Sequence, residues 1–337
     1  MSSRTDVQVE RIISIRLTVK NCDRSLDFYT QALGFELVSD LTVEGQDYSD
    51  LEGVNEAKIR IITLRLGDEL IELMEYFNIQ GKPIPSDSQS NDLWFQHLAI
   101  VVSDMDRAYA HLRSFPMEPI SVNPQTIPPD NETSGGVRAF KFKDPDGHFL
   151  ELIWFPRDKG QKKWHQNTNR LFLGIDHSAI AISNTEQSLH FYRDLLGMQI
   201  DSHSFNWRAT QTRLDNLPGA EVKITALRPI QDGVGIELLD YIVPGHGRPI
   251  PSDWQSCDIA NMQIEIVVND IEQAIDRLQQ NQVKFVSTEI VPHGKSCLVK
   301  DPDGHAILLL SRNESFYSEG TGNREQEKLM FLNMRLK

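Results

Sequence analysis

Three segments of this chain occur twice, in the same order. SLDFYTQALGFELVSD from Ser25 returns as SLHFYRDLLGMQIDSH from Ser188, GKPIPSDSQSNDL from Gly81 as GRPIPSDWQSCDI from Gly247, and KDPDGHFLEL from Lys143 as KDPDGHAILL from Lys300. The offset, roughly 160 residues, is too long for a solenoid unit and right for a duplicated domain. At 337 residues the chain accommodates two domains of about 150 residues, each with its own core. Any fold proposed for it must therefore be built twice.

A finer repeat runs inside each half. Alternating strand patterns open at Ile13 (ISIRLTV), His97 (HLAIVV), His177 (HSAIAI) and Gln263 (QIEIVV). Each is followed by a polar turn holding Asp or Asn and by a short amphipathic helix with acidic residues in its first turn. Further strands follow, the clearest being DELIELMEY, GVGIELLDY, HFLELIWF and HAILLLS. The chain thus reads as α+β, with four strand–helix–strands modules in two domains, 11–156 and 172–312. A polar linker at 157–171 joins them, with Trp164 as its one candidate anchor, and a tail of unassigned role fills 313–337. The Pro-rich segments at Pro83–Pro85 and Pro249–Pro251 turn the chain between modules.

Side chains alternate across a strand, so the opening strands sort into two faces. Leu98, Ile100 and Val102 point to the helix, leaving His97, Ala99 and Val101 on the other face; Ile180 and Ile182 likewise leave His177, Ala179 and Ala181. A histidine followed by small residues has open space around its imidazole. Taken singly, such a histidine is more often a strand-end residue beside solvent. The acids change that reading: Glu72, Glu151 and Glu237 each stand alone inside an apolar strand at matching places in the modules. A buried carboxylate is costly unless paired, hydrogen-bonded or bound to a metal.

A histidine opening the first strand, S-L-x-F-Y in the next helix and D-P-D-G-H-x-x-E-L in the last strand together resemble the vicinal oxygen chelate superfamily, from about Arg11 to Ser311. That family includes glyoxalase I, bleomycin-resistance proteins and extradiol dioxygenases. The resemblance implies βαβββ modules curled in pairs into mixed-sheet cups, with metal ligands from the opening and a late strand of each module. Carried over, the modules supply Ser14 and Glu72, His97 and Glu151, His177 and Glu237, and Gln263 and Leu308. Pairing neighbours would put one histidine in one cup and one in the other. Pairing the second module with the third and the first with the fourth gathers His97, Glu151, His177 and Glu237 in an inner cup. It leaves Ser14, Glu72, Gln263 and Leu308 as a degenerate outer one, in which Arg16 either neutralises Glu72 or Glu265 or reaches solvent at the rim. The swapped pairing is the expectation.

Two imidazoles and two carboxylates without thiolate suit one divalent ion among Fe, Ni, Co, Mn and Zn, and do not choose between them. Such a site polarises a carbonyl on a substrate with vicinal oxygens and acidifies the adjacent C–H, with a carboxylate as base. The resemblance puts Glu151 first for that role and Glu237 second. A glyoxalase-type isomerase or lyase is the leading expectation. An Fe(II) extradiol dioxygenase and a non-catalytic small-molecule binder are the alternatives. His148 and His305 read as turn residues, and Phe28, Tyr29, Phe191 and Tyr192 as packing; His203, Trp207 and Arg208 are candidates for the rim of the inner cup. The formal net charge of −14 argues against a nucleic-acid or anionic-membrane surface. No signal peptide or membrane span is legible, and Cys22, Cys257 and Cys297 are scattered like reduced thiols, so a cytoplasmic protein, able to work as a monomer, is expected.

Overall fold

All four modules begin alike because each helix is started by the same chemistry. Asn21, Asp104, Asn184 and Asp270 are extended residues whose side chains accept from the backbone N–H of Arg24, Arg107, Gln187 and Gln273 at 2.9–3.0 Å. The helices then run Cys22–Leu33, Met105–Leu112, Thr185–Leu189 continued by a π-helical turn His190–Leu195, and Ile271–Gln280. Two short helices, Gln46–Glu52 and Arg208–Asp215, lie in the long connections of the first and third modules and were not legible in the periodicity. The structure, a computed structural model, describes residues 6–288 and 296–312; the tail at 313–337 lies outside the described residues.

Two mixed sheets carry the fold. One runs Lys284–Phe285, Ser296–Lys300, Ala306–Ser311, Met262–Val268, Val9–Thr18, Glu69–Tyr76, Lys58–Leu66, Glu36–Glu44, so it joins the fourth module to the first. The other, of nine strands, runs Gln199–Asn206, Glu221–Arg228, Gly235–Val243, Phe172–Ile182, Gln96–Val102, Phe149–Trp154, Arg138–Lys143, Glu118–Pro119, with Gln125–Thr126 also paired to Arg138–Lys143, and joins the third module to the second. The swapped pairing is therefore the one observed. Each seam is an antiparallel pair of opening strands: Val9–Thr18 with Met262–Val268, and Phe172–Ile182 with Gln96–Val102. Both seams carry β-bulges at corresponding places, Ile12/Ser14 and Ile175/His177.

The helix-facing sides of both sheets share one apolar core, including Ile15, Leu17, Leu98, Ile100, Ile180, Ile264 and Ile266. The D-P-D-G-H turns tie the sheets across it. Tyr29 of the first module donates its hydroxyl to Asp144 Oδ2 in the second (3.1 Å), and Tyr192 of the third does the same to Asp301 Oδ2 in the fourth (3.0 Å). Each aspartate also holds the histidine four residues on, His148 or His305, through Nδ1 at 3.0 Å. The two histidines thus serve the turn, and the tyrosines do more than pack. The Pro-rich segments embrace each other: Lys82 N donates to Asp258 Oδ1 at 2.6 Å, and reciprocally Arg248 N donates to Asp92 Oδ1 at 2.9 Å. The three cysteines are buried and free. No helix among the described residues is long and apolar enough to cross a membrane.

Removing either tyrosine hydroxyl leaves a buried carboxylate one donor short. Tyr29→Phe and Tyr192→Phe are each expected to lose about 1–3 kcal/mol in denaturant unfolding, and the double variant is expected to lose roughly the sum, since the sites share no partner.

Candidate metal centre

The seam of the nine-stranded sheet sets the distance between the two candidate histidines. His177 stands opposite Ala99, and Ala179 opposite His97, so the imidazoles project side by side from adjacent strands, with ring centroids 5.6 Å apart. The parallel neighbours bring the acids: Phe149–Trp154 places Glu151 beside Ala99, and Gly235–Val243 places Glu237 beside Ala179. The two alanines are what leave room between the four functional groups. Ligand atoms of His97, Glu151 and His177 all lie within 4.8 Å of one another. Glu151 Oε2 is 3.3 Å from His97 Nε2 and 3.9 Å from His177 Nε2, and Glu237 Oε2 is 3.4 Å from His177 Nε2. Two ligands at about 2.1 Å from one ion stand roughly 3.0–3.4 Å apart at right or tetrahedral angles and about 4.2 Å apart when opposite, so these separations suit a shared cation.

Burial sharpens that fit. His97 and His177 are almost fully enclosed, yet both ring nitrogens of His97 and Nε2 of His177 lack a hydrogen-bond partner. Orphaned buried nitrogens are costly unless something binds them. Burial pushes the His97 imidazole down to about 4, which keeps the ring neutral and the lone pair of one nitrogen available. Burial also raises the Glu151 carboxyl group, but His97, Lys141 and His177 beside it outweigh this and bring it to about 2. Glu237 behaves differently: burial and the facing Glu151 hold it above the usual carboxylate range. Glu237 is also the more open of the two, its side chain 26% exposed against 7% for Glu151.

The four groups sit in a cavity of about 1170 Å³. Its walls are apolar at Ile127, Val222, Ile224 and Leu239 and polar at Asn206, Gln211 and Tyr241. Lys141 was not anticipated. It lies opposite Glu151 in the sheet, buried, with its ammonium 2.7 Å from Asp215 Oδ1, and Tyr241 donates to the other oxygen of that carboxylate. Nothing in the motif marks this lysine, because its partner Asp215 comes from the unanticipated helix of the third module. Asp176, whose Oδ2 is 3.1 Å from His177 Nδ1, was also missed. Its only signal is its place directly before the histidine. Trp207 and Arg208 border a small pocket that shares Ile127, Asn206 and Gln211 with the cup, whereas His203 does not line it, a correction with a simple cause. Ser202, Ser204 and Asn206 face the cavity, so His203 falls on the opposite face of the strand, 3.2 Å from Thr225 Oγ1. Arg208 pairs with Asp130 at the surface, its aliphatic and guanidinium end over the Trp207 ring.

The outer cup has the same register, with charged side chains across its middle. Arg16 occupies the place of Ala179, and Glu265 that of Ala99, while Leu308 stands where Glu151 does. Arg16 is buried, with Nε 2.9 Å from Glu72 Oε2, Nη2 3.5 Å from Glu265 Oε1 and Nη1 3.7 Å from Glu52 Oε1. Ser14 donates to Glu265, and Gln263 Nε2 donates to Glu52 Oε2 at 2.7 Å. Of the degenerate set, three members thus join a guanidinium–carboxylate cluster, and Leu308 packs with Leu51 and Leu298. Arg16 is a fixed cation in the middle of the cup, not a rim charge. Arg16→Met strands buried carboxylates without a counter-ion and is expected to cost about 3–5 kcal/mol of stability by denaturant unfolding. Metal uptake by the inner cup is expected to be unchanged when measured on the folded fraction.

Comparison with known proteins agrees with this architecture. The sequence matches the Glyoxalase/Bleomycin resistance protein/Dioxygenase superfamily twice, over residues 11–152 and 174–309. It is 27% identical over 323 residues to the Glyoxalase I of Saccharomyces cerevisiae (87% of this chain, 90% of that one). It is 24% identical over 215 residues to the Lactoylglutathione lyase of Schizosaccharomyces pombe (59% of this chain), and spans 63% of that enzyme's length. One stretch of 147 residues is 35% identical to a 2-epi-5-epi-valiolone epimerase from Actinomyces sp (42% of this chain, 78% of that one). The fold is that of glyoxalase I from Zea mays, with a TM-score of 0.58 at 17% identity over 89% of this chain and 92% of that one. With both halves matched and the two mixed sheets assembled in this way, the chain belongs to the Glyoxalase/Bleomycin resistance protein/Dioxygenase superfamily.

Proposed function

We propose that the inner cup is the active site of a metal-dependent, glyoxalase I-like isomerase or lyase, acting on a small substrate that carries a carbonyl beside a second oxygen. The observation that carries this reading is the contrast between the cups. One gathers orphaned imidazole nitrogens and two carboxylates at a large cavity, and its duplicate is closed by an arginine. His97, Glu151 and His177 hold the ion, with Glu237 as the fourth, more exposed ligand. A divalent ion in this place supplies polarisation of the substrate carbonyl, which makes the neighbouring C–H acidic.

The chain's own groups then handle the proton. Glu151 is wedged between both imidazoles and almost fully enclosed, which suits a permanent ligand better than a base. Glu237 stands outside the tight group of three and opens to the cavity. This favours the Glu237 carboxylate, through an oxygen that the ion would leave free, as the group that takes the proton and returns it to the adjacent position, the reverse of the order implied by the family resemblance. Lys141 sets a buried cation next to Glu151, and the apolar wall of Ile127, Ile224 and Leu239 keeps bulk water from the reacting carbon. Proton removal beside a carbonyl is common to isomerisation and epimerisation, so the relative named an epimerase fits this site as well.

The test is carbon-bound hydrogen exchange. Protein loaded in turn with Fe(II), Ni(II), Co(II), Mn(II) or Zn(II) is incubated in D2O with lactoylglutathione or small α-hydroxy ketones. Deuterium entry next to the carbonyl is expected with at least one ion and is lost on chelation. Absence of exchange with every ion, or oxygen uptake with catechols under Fe(II), sinks the reading. Glu237→Gln is expected to keep the metal and lose about 10²-fold or more in exchange rate. Glu151→Gln is expected to weaken metal binding first, as read by equilibrium dialysis.

A further inference from the structure

The two metal-site histidines are not held alike. Nδ1 of His177 meets a carboxylate, Asp176 Oδ2 at 3.1 Å, whereas neither ring nitrogen of His97 has a hydrogen-bond partner. Adjacent residues of a regular strand point to opposite faces, so Asp176 should not be able to reach the ring beside it. The β-bulge between Ile175 and His177 removes that obstacle by inserting Asp176 as the unpaired residue and turning it toward the cup. The duplicate seam has the same bulge, and there the inserted residue is Ile13 next to Ser14. The bulge thus belongs to the fold, and the carboxylate in it occurs only in the cup that has histidines.

Asp176 is in turn fixed from three directions. Trp164 Nε1 donates to Oδ1 at 2.9 Å, Gln161 Nε2 to the same oxygen at 3.2 Å, and Arg228 Nη2 to Oδ2 at 3.1 Å. Arg228 Nη1 also donates to the Asp176 carbonyl oxygen at 2.9 Å. Trp164 and Gln161 belong to the segment joining the two sequence halves, which forms a short 3-10 turn at Lys162–His165. That segment is seated tightly. A Cβ on Gly174 would lie 2.9 Å from Trp164 Cη2 and 2.3 Å from Glu69 Oε2, so only a glycine lets the indole approach. Glu69, from the first module, is also paired with Lys163 of the joining segment.

We infer that Asp176 is a positioning residue for the metal centre, and that the joining segment, through Trp164 and Gln161, sets the affinity of the inner cup for its ion. With Nδ1–H given to Asp176, the His177 ring is held in the tautomer whose Nε2 lone pair faces Glu151 and Glu237. Trp164 keeps the carboxylate from turning away. In Asp176→Asn one oxygen becomes an amide nitrogen, which sets a donor against either the indole and Gln161 or the imidazole and Arg228.

The inference rests on the inner cup being a metal site, and the test separates the two. Zn(II) affinity is measured by competition with a chromophoric chelator, and the tautomer of His177 in the metal-free protein by imidazole ¹⁵N NMR at alkaline pH, where the ring is neutral. Asp176→Asn is expected to bind Zn(II) about 10–100-fold more weakly, with His177 shifted from a single Nδ1–H tautomer toward a mixture. Trp164→Phe, which leaves Asp176 and His177 in place, is expected to weaken binding in the same direction by a smaller factor. A variant that melts earlier but keeps wild-type affinity and tautomer assigns Asp176 a structural role only and overturns the inference. Failure of the wild-type protein to bind Zn(II), Ni(II), Co(II) or Mn(II) overturns the metal-site reading beneath it.

Discussion

The antiparallel pairing of Gln96–Val102 with Phe172–Ile182 is the contact on which the candidate centre depends. Side-chain direction in a strand has a period of two, so a one-residue slip of this seam would turn one histidine into the helix-facing core. The apolar stripe Leu98, Ile100, Ile175 and Ile180 prevents the slip, because it too would lose its place. Hydrophobic packing on one face thereby fixes the chemistry of the other. The neighbouring strands add their carboxylates without further specification, since Glu151 and Glu237 follow from the registers of the parallel pairs.

The two cups show how little separates a reactive pocket from an inert one. Their registers coincide, and the difference is made at a few positions. Alanines at 99 and 179 leave a gap that imidazoles border; glutamate at 265 and arginine at 16 fill it. In the outer cup the cation is supplied by the sequence, and Glu52 from the helix Gln46–Glu52 joins it. In the inner cup the corresponding helix, Arg208–Asp215, supplies Asp215 to Lys141 and leaves the middle open. A carboxylate from a connecting helix is common to both, and what it faces decides whether a small molecule can enter.

The modules and their opening helices were legible because alternation and Asp/Asn caps are local signals repeated four times, and the swapped assembly because it gathers in one cup the ligands that the family resemblance implies. The grouping of His97, Glu151, His177 and Glu237 followed from strand parity once the pairing was chosen, whereas the same parity put Arg16 near Glu72 and Glu265 and left open whether it neutralises them or reaches solvent. What escaped had no local pattern. Asp176 reaches His177 through a bulge, and a bulge breaks the alternation used to read a face. Lys141 acquires its role from Asp215, which is 74 residues away in sequence on a short helix of weak amphipathicity. His203 was misplaced for the converse reason: the strand around it is mostly polar, so composition could not say which side is inside. The hydroxyls of Tyr29 and Tyr192 bond across modules to turns more than a hundred residues on, where periodicity carries no information.

The exchange of modules also imposes an order of assembly during synthesis. Every strand of the nine-stranded sheet has left the ribosome once Val243 has emerged, so that sheet can close while the final quarter is still being made. The eight-stranded sheet needs Val9–Thr18 from one end of the chain and Ala306–Ser311 from the other. Its first half must wait with a seam edge open, the kind of exposed strand that invites wrong partners. Charge on that edge strand at Arg16, with Glu72 on the strand beside it, makes it a poor template for apolar strands until the matching glutamate of Met262–Val268 arrives. The arginine that silences one pocket would then also guard the nascent chain against sticking to its neighbours.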